Sequence, residues 1–295
     1  MLSDKLTLDA QTMARVVETK VTCPFLGGVV TQELLSIRGS ANNPLAAIED
    51  VRRLGNEGGG DLGDLLAFFA AGNHALMRSD TGDALDEPAP AGLFSLELPG
   101  SQGSHPGHSG ILQGDPQKLD SGRLSKEDFA RLVGFAKGNF LKRSDAGRFI
   151  AENLTRDANA KVRGHSVAEL LAHDLGAFVE AVGPALISRL MHSPEHAAKA
   201  HQALEQKLTK LLGEDNLVGS AGEFGLLFAF LAPGPDTKSI DGEPALFMDN
   251  VEAMFVHKRL PNGWETWKKS RADWVVHTTW LMLSADKEYR RLTAG

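Results

Sequence analysis

The strongest constraint in this chain is the recurrence of helix signatures in which a start signal, an apolar stripe of helical period and a stop signal all agree. Ser193-Pro194 places a cap before a proline at the first helical position. Ala197, Ala200, Leu204, Leu208 and Leu211 then trace one stripe, and Gly213 ends it. Ser166 with Glu169 reads as a capping box ahead of Leu170, Leu171, Leu175, Phe178 and Val182, closed by Gly183-Pro184. Near the C-terminus, Trp274, Thr278, Leu281, Ala285 and Leu292 keep helical spacing. Shorter patterns predict helices over Pro44–Leu54, Asp61–Ala71, Ser125–Lys137, Ser144–Leu154, Ser220–Leu231 and Asp249–Lys258.

Strand signals are scarce. Leu93–Leu98 alone carries a partial alternation, stopped by Pro99-Gly100, and predicts at most a short edge strand. The expected class is all-α. Residues 80–123 break the pattern with scattered Pro, Gly and Ser, and a loop region of about forty residues in a compact domain usually serves function or is disordered. This one carries His105, His108 and Asp115, which favours function. No internal repeat or linker is evident, so one domain over residues 1–295 is the default.

Composition narrows the partners. With 42% apolar residues among 295, the chain can build a substantial core. Its 31 Lys plus Arg against 38 Asp plus Glu give a net charge of −7, and no dense basic run offers a grip on nucleic acid or anionic lipid. The N-terminus lacks a secretory pattern, and no window approaches ~18 uninterrupted apolar residues. The reading is a cytoplasmic protein with small-molecule partners, without nucleic acid or membrane.

Cys23 is the only cysteine, so its uses are packing, reactivity or metal ligation. The pairs His105/His108 and His192/His196 have spacings that could hold a metal, but neither has a nearby cysteine or an obvious third ligand. Gln117–Asp128 fails as a calcium loop because Gln117 and Leu119 stand where oxygen ligands are needed; Ser125 and Asp128 suit a helix cap instead. Gly58-Gly59-Gly60 lacks the strand and lysine of a phosphate loop and reads as a flexible turn. Glu223 is the one charge in the run Ser220–Leu231; burial there would suit it to carrying a proton, while a place near a helix N-terminus would explain it equally.

Three segments taken in order resemble the heme-thiolate peroxidases, the family of chloroperoxidase and the unspecific peroxygenases. The first is Cys23-Pro24. The second is His108–Asp115, similar to a family segment ending Glu-Gly-Asp or Glu-His-Asp. The third runs from Gly222-Glu223-Phe224 through Met248-Asp249 to Arg259-Leu260-Pro261 and Trp264. The resemblance implies a single mostly helical domain enclosing heme b, and a peroxidase or peroxygenase that uses hydrogen peroxide to oxidise a small organic substrate. It implies Cys23 as the iron ligand and Glu223 as the proton carrier. Pro24 and Phe224 would lie against the heme, His108 or His105 would assist Glu223, and Asp115 would hold a magnesium ion.

The chain departs from the family where Thr22 replaces a proline, Gln113 a glutamate, Gln117 a serine and Asn216 an arginine, and where Gly114 stands in place of a histidine. Family members are typically secreted, and this chain shows no signal. The competing reading is a noncatalytic helical binding or scaffolding protein with Cys23 as a buried structural thiol.

Overall fold

The computed structural model describes residues 6–21, 23–77, 92–99, 124–157, 160, 162 and 216–294. The chain enters through α1 (Ala10–Arg15), capped by the Asp9 carboxylate, which accepts from the Thr12 amide at 2.8 Å. A π-helical turn (Val16–Lys20) follows, and α2 (Pro24–Thr31) then starts with Pro24 at its first position. Next come a hairpin, β1 (Arg38–Ser40) and β2 (Asn43–Ala47), and helices α3 (Ile48–Gly55) and α4 (Gly63–Asn73). Strands β3 (His74–Met77) and β4 (Leu93–Pro99) complete an antiparallel sheet of order β1-β2-β4-β3.

Helix α5 (Lys126–Phe135) begins at Ser125, whose hydroxyl accepts from the Asp128 amide at 3.1 Å. Strand β5 (Phe140–Lys142) runs directly into α6 (Arg143–Arg156). The last part comprises α7 (Asn216–Leu231), β6 (Lys238–Ile240), β7 (Glu243–Phe247), α8 (Met248–Phe255) and the long α9 (Arg271–Thr293). Strands β5, β7 and β6 form a second antiparallel sheet.

The protein is therefore helix-rich, and the all-α expectation is corrected by these two small sheets. Most of their strands are three to five residues long, too short for a period of two to stand out. The predicted Pro44–Leu54 helix is likewise corrected. Its first residues are strand β2, with Pro44 opposite Gly39, and the helix starts only at Ile48. Strand β4 lies between β2 and β3 rather than at an edge; Pro99 is its last residue and stands opposite His74 of β3, beyond an irregularity in the register. Helix α2 was not foreseen, because Gly27-Gly28-Val29-Val30 carries neither good helix formers nor a stripe. The predicted helices at Ser166–Val182 and Ser193–Leu211, with His192 and His196, lie outside the described residues.

A repeat is present that the residue pattern does not display. A helix ends at Thr31, a hairpin pairs Arg38–Ser40 with Asn43–Leu45, and its second strand passes straight into α3. A helix ends at Leu231, a hairpin pairs Lys238–Ile240 with Glu243–Ala245, and its second strand passes straight into α8. Every paired position in the second unit is its counterpart's number plus 200. Few residues agree, Pro44 with Pro244 and Val51 with Val251 among them, and the turns differ in chemistry. The second turn uses Asp241 and Gly242, both at positive φ, whereas the first hairpin places its positive φ at Gly39.

The core runs continuously from Leu8 to Ala285 through every helix described except α1. Helices α6 and α7 both pack along α9. A Cβ on Gly225 would stand 2.1 Å from Thr278 Oγ1, and one on Gly147 2.5 Å from Ser284 Oγ, so both glycines are what let these helices approach. The buried Trp274 indole N–H donates to the Gly222 carbonyl at 3.0 Å, fixing α7 beside the residue that follows it, Glu223. The Gly58–Gly60 turn is more constrained than a flexible linker. Gly58 has φ +81, and Cβ atoms at Gly58 and Gly60 would lie 2.2 and 2.0 Å from the carbonyl oxygens of Trp267 and Lys269.

Candidate functional site

Cys23 is the N-cap of α2, in extended backbone ahead of Pro24. A helix start leaves its first amides without intrahelical partners and carries a partial positive charge. The N–H groups of Leu26 and Phe25 orient toward the sulfur and favour its thiolate, short of a full capping hydrogen bond. Burial works the other way and wins, pushing the Cys23 thiol up to about 12, with the nearby Glu223 carboxylate adding to the rise. Lys258 opposes them with a positive charge.

Cys23, Pro24 and Phe25 of the α2 start form one wall of a pocket whose opposite contributors come from α7: Glu223, Phe224, Leu226, Leu227 and Phe230. Leu66 of α4 and the α8 end, Met254 and Phe255, close it. Its enclosed space is small, about 40 Å³, within a wider opening of about 510 Å³ of non-atom space that includes open solvent. Apart from the Cys23 thiol and the Glu223 carboxylate, every lining side chain is apolar. Cys23 and Glu223 also occupy equivalent places in the two repeated units, each eight residues before the end of its helix.

An aromatic stack backs the pocket. Phe25 meets Phe230 edge-on at 5.4 Å, and Phe230 stacks on Trp264 at 6.2 Å. Behind them the buried Lys269 ammonium lies 4.9 Å from the Trp264 ring centre and donates to the Trp264 carbonyl at 2.7 Å. Burial pulls Lys269 down to about 8.

Four of the sequence-designated residues, Cys23, Pro24, Glu223 and Phe224, are thus brought to one pocket; His108 and Asp115 lie outside the described residues. Of the α7 aromatics, the sequence offers Phe224, Phe228 and Phe230 as pocket or core, with at least two as core. Phe224 and Phe230 line the pocket, while Phe228 faces α9 with its ring 5.5 Å from that of His277. Glu223, Phe224, Leu227 and Phe230 keep helical spacing, a signal that could have separated this face from the other. Lys258 carried no signal of a link to Cys23, since that link depends on tertiary docking.

Among the described residues no group of three or more His, Cys, Asp or Glu side chains could hold a metal ion. The donor chemistry would suit heme, with one soft sulfur at a helix start, one carboxylate and otherwise apolar walls, and the enclosed space would have to open to admit a group of that size. No helix among the described residues is long and apolar enough to cross a membrane. The chain matches no family model, no curated protein and no solved structure.

Proposed function

We propose that this pocket binds heme b through Cys23 and that the protein is a peroxide-dependent heme-thiolate oxidoreductase, a peroxidase or peroxygenase acting on a small organic substrate. The observation that carries the reading is convergence: the only thiol in the chain and the only charged residue of α7 meet in one apolar pocket from distant parts of the sequence. When bound, the heme supplies the oxidising chemistry toward peroxide and substrate.

The chain's own residues then have separable tasks. Cys23 gives up its proton and ligates through Sγ, with the Leu26 and Phe25 amides stabilising the charge on sulfur. The Glu223 carboxylate would hold a proton and move it between the two oxygens of hydrogen peroxide, the electrons for breaking the O–O bond being part of the chemistry the heme would supply. Phe224, Leu227 and Phe230 exclude bulk water and present an apolar surface to the substrate. Reconstitution with hemin tests this: Glu223→Gln should retain heme and lose peroxide turnover, and full turnover in that variant removes Glu223 from the mechanism.

One observation favours the competing reading of a noncatalytic binding or scaffolding protein. A thiol buried to 7% exposure and held protonated is what a structural cysteine looks like. A colourless protein that takes up no hemin would favour that reading.

A further inference from the structure

Helix α9 has two faces. One lies in the core, where Trp274, Thr278, Leu281 and Ala285 are buried. The other carries a second stripe: Asp273, Val276, Trp280, Leu283 and Lys287, three and four residues apart by turns, the interval that keeps side chains on one line of a helix and that paired helices use as a seam. Trp280 is 54% exposed and Val276 49%, the highest values among the large apolar residues described. Asp273 and Lys287 are exposed and Leu283 is half-buried.

Trp280 is held in place although it faces solvent. The Arg143 guanidinium carbon lies 5.1 Å from its ring centre, and Arg143 Nη1 is in turn 3.3 Å from His277 Nδ1. A tryptophan ordered in advance loses little side-chain freedom on binding, and tryptophan and arginine are the residues most enriched where protein surfaces hold one another.

The charges say which partner the stripe fits. Asp273 stands seven residues before Trp280 and Lys287 seven after it, so the stripe is its own complement when reversed. With a second α9 laid antiparallel about a two-fold axis at Trp280, each Asp273 meets the Lys287 of the other copy, and each Val276 falls beside the other copy's Leu283 and Ser284. A parallel pairing would set Asp273 against Asp273 and Lys287 against Lys287, which like-charge repulsion disfavours. We propose that the solvent face of α9 is the interface of a two-fold homodimer in which two copies of the helix pack antiparallel with the Trp280 rings at the axis. The dimer is independent of what the pocket binds.

Sedimentation velocity of the full-length protein over a concentration series tests this. The wild type should associate reversibly to a dimer, and Trp280→Ala should weaken association about tenfold or more. Asp273→Lys and Lys287→Asp each put two like-charged pairs into the seam; each should weaken it about tenfold, less at high salt, and the double reversal Asp273→Lys/Lys287→Asp should return to wild-type affinity. Asp273 also lies in the first turn of α9, where a carboxylate favours the helix, so Asp273→Lys loses some fold stability on its own account, which thermal melting reads separately. Losses of a structural kind add in the double variant, whereas a seam restores. A wild type that stays monomeric throughout the series overturns the proposal, and is the result expected if some other protein covers this face. Unchanged association in Trp280→Ala overturns it too, as does a double reversal that binds no more tightly than the single ones.

Discussion

Alkaline pH should destabilise the heme-free protein through Cys23, and the size of the effect follows from its burial. The thiol, ordinarily near 9.0, is raised to about 12 in the fold. Between those two values the folded state holds a proton that the unfolded state has lost, so stability falls as pH rises through the window. At about 1.4 kcal/mol per unit, the loss is about 2 kcal/mol at pH 10.5 and approaches ~4 kcal/mol once both states are ionised. The assay is urea unfolding of wild type and Cys23→Ala from pH 8 to pH 10.5. Lysine and tyrosine titrations are common to both proteins, so the difference between the two curves isolates the thiol. The wild type should lose about 2 kcal/mol relative to the variant over that range. Parallel curves would refute the buried, protonated thiol. The same proton sets the demand on any metal that binds as a thiolate complex. Ionising a thiol of pKa about 12 at pH 7 costs ~7 kcal/mol, within reach of metal–thiolate binding energies of about 10 kcal/mol or more. Hemin affinity should therefore rise about tenfold per pH unit below 12 until other groups titrate.

Three further perturbations probe the frame around the site. His277 is buried against Phe228 and near Arg143, and burial together with that guanidinium depresses it to about 4 from 6.5. The unfolded state binds the extra proton between those values, so acid should remove up to ~3 kcal/mol as pH falls from 6.5 toward 4, and His277→Gln should flatten that slope in denaturant titrations. Lys269 is shifted the same way, down to about 8, so between pH 8 and 10.5 its titration should raise stability by up to ~3 kcal/mol; this rise should vanish in Lys269→Met. Gly225→Ala drives a methyl into Thr278 at the crossing of α7 and α9 and should cost about 1–3 kcal/mol, measured by thermal melting, with part of the loss recovered in Gly225→Ala/Thr278→Ala.

The helices were legible where local chemistry decides them. Ser125 caps α5 as its hydroxyl requires, and four of the five stripe residues of α9 are buried; Leu292, in the last turn, is exposed. The hairpins were not legible, because three residue pairs on either side of a two-residue turn leave too little pattern, and Pro44 reads as a helix start when it is a strand residue. The repeat was hidden for the same reason: it is conserved in register and scarcely in residue identity. At the site, Cys23 and Glu223 stood out as solitary chemical types in apolar surroundings, which a sequence displays directly. Phe25, Leu66, Met254 and the influence of Lys258 did not, since each reaches the pocket or the thiol through packing of elements distant in the chain.

The central claim is that Cys23 ligates heme iron from the start of α2, and the absorption spectrum of the ferrous carbon monoxide complex of hemin-reconstituted protein tests it most directly. A Soret band shifted well to the red of that given by a neutral nitrogen ligand, and lost in Cys23→Ala, is the predicted result. A protein without that band, or a spectrum unchanged in Cys23→Ala, would contradict the assignment.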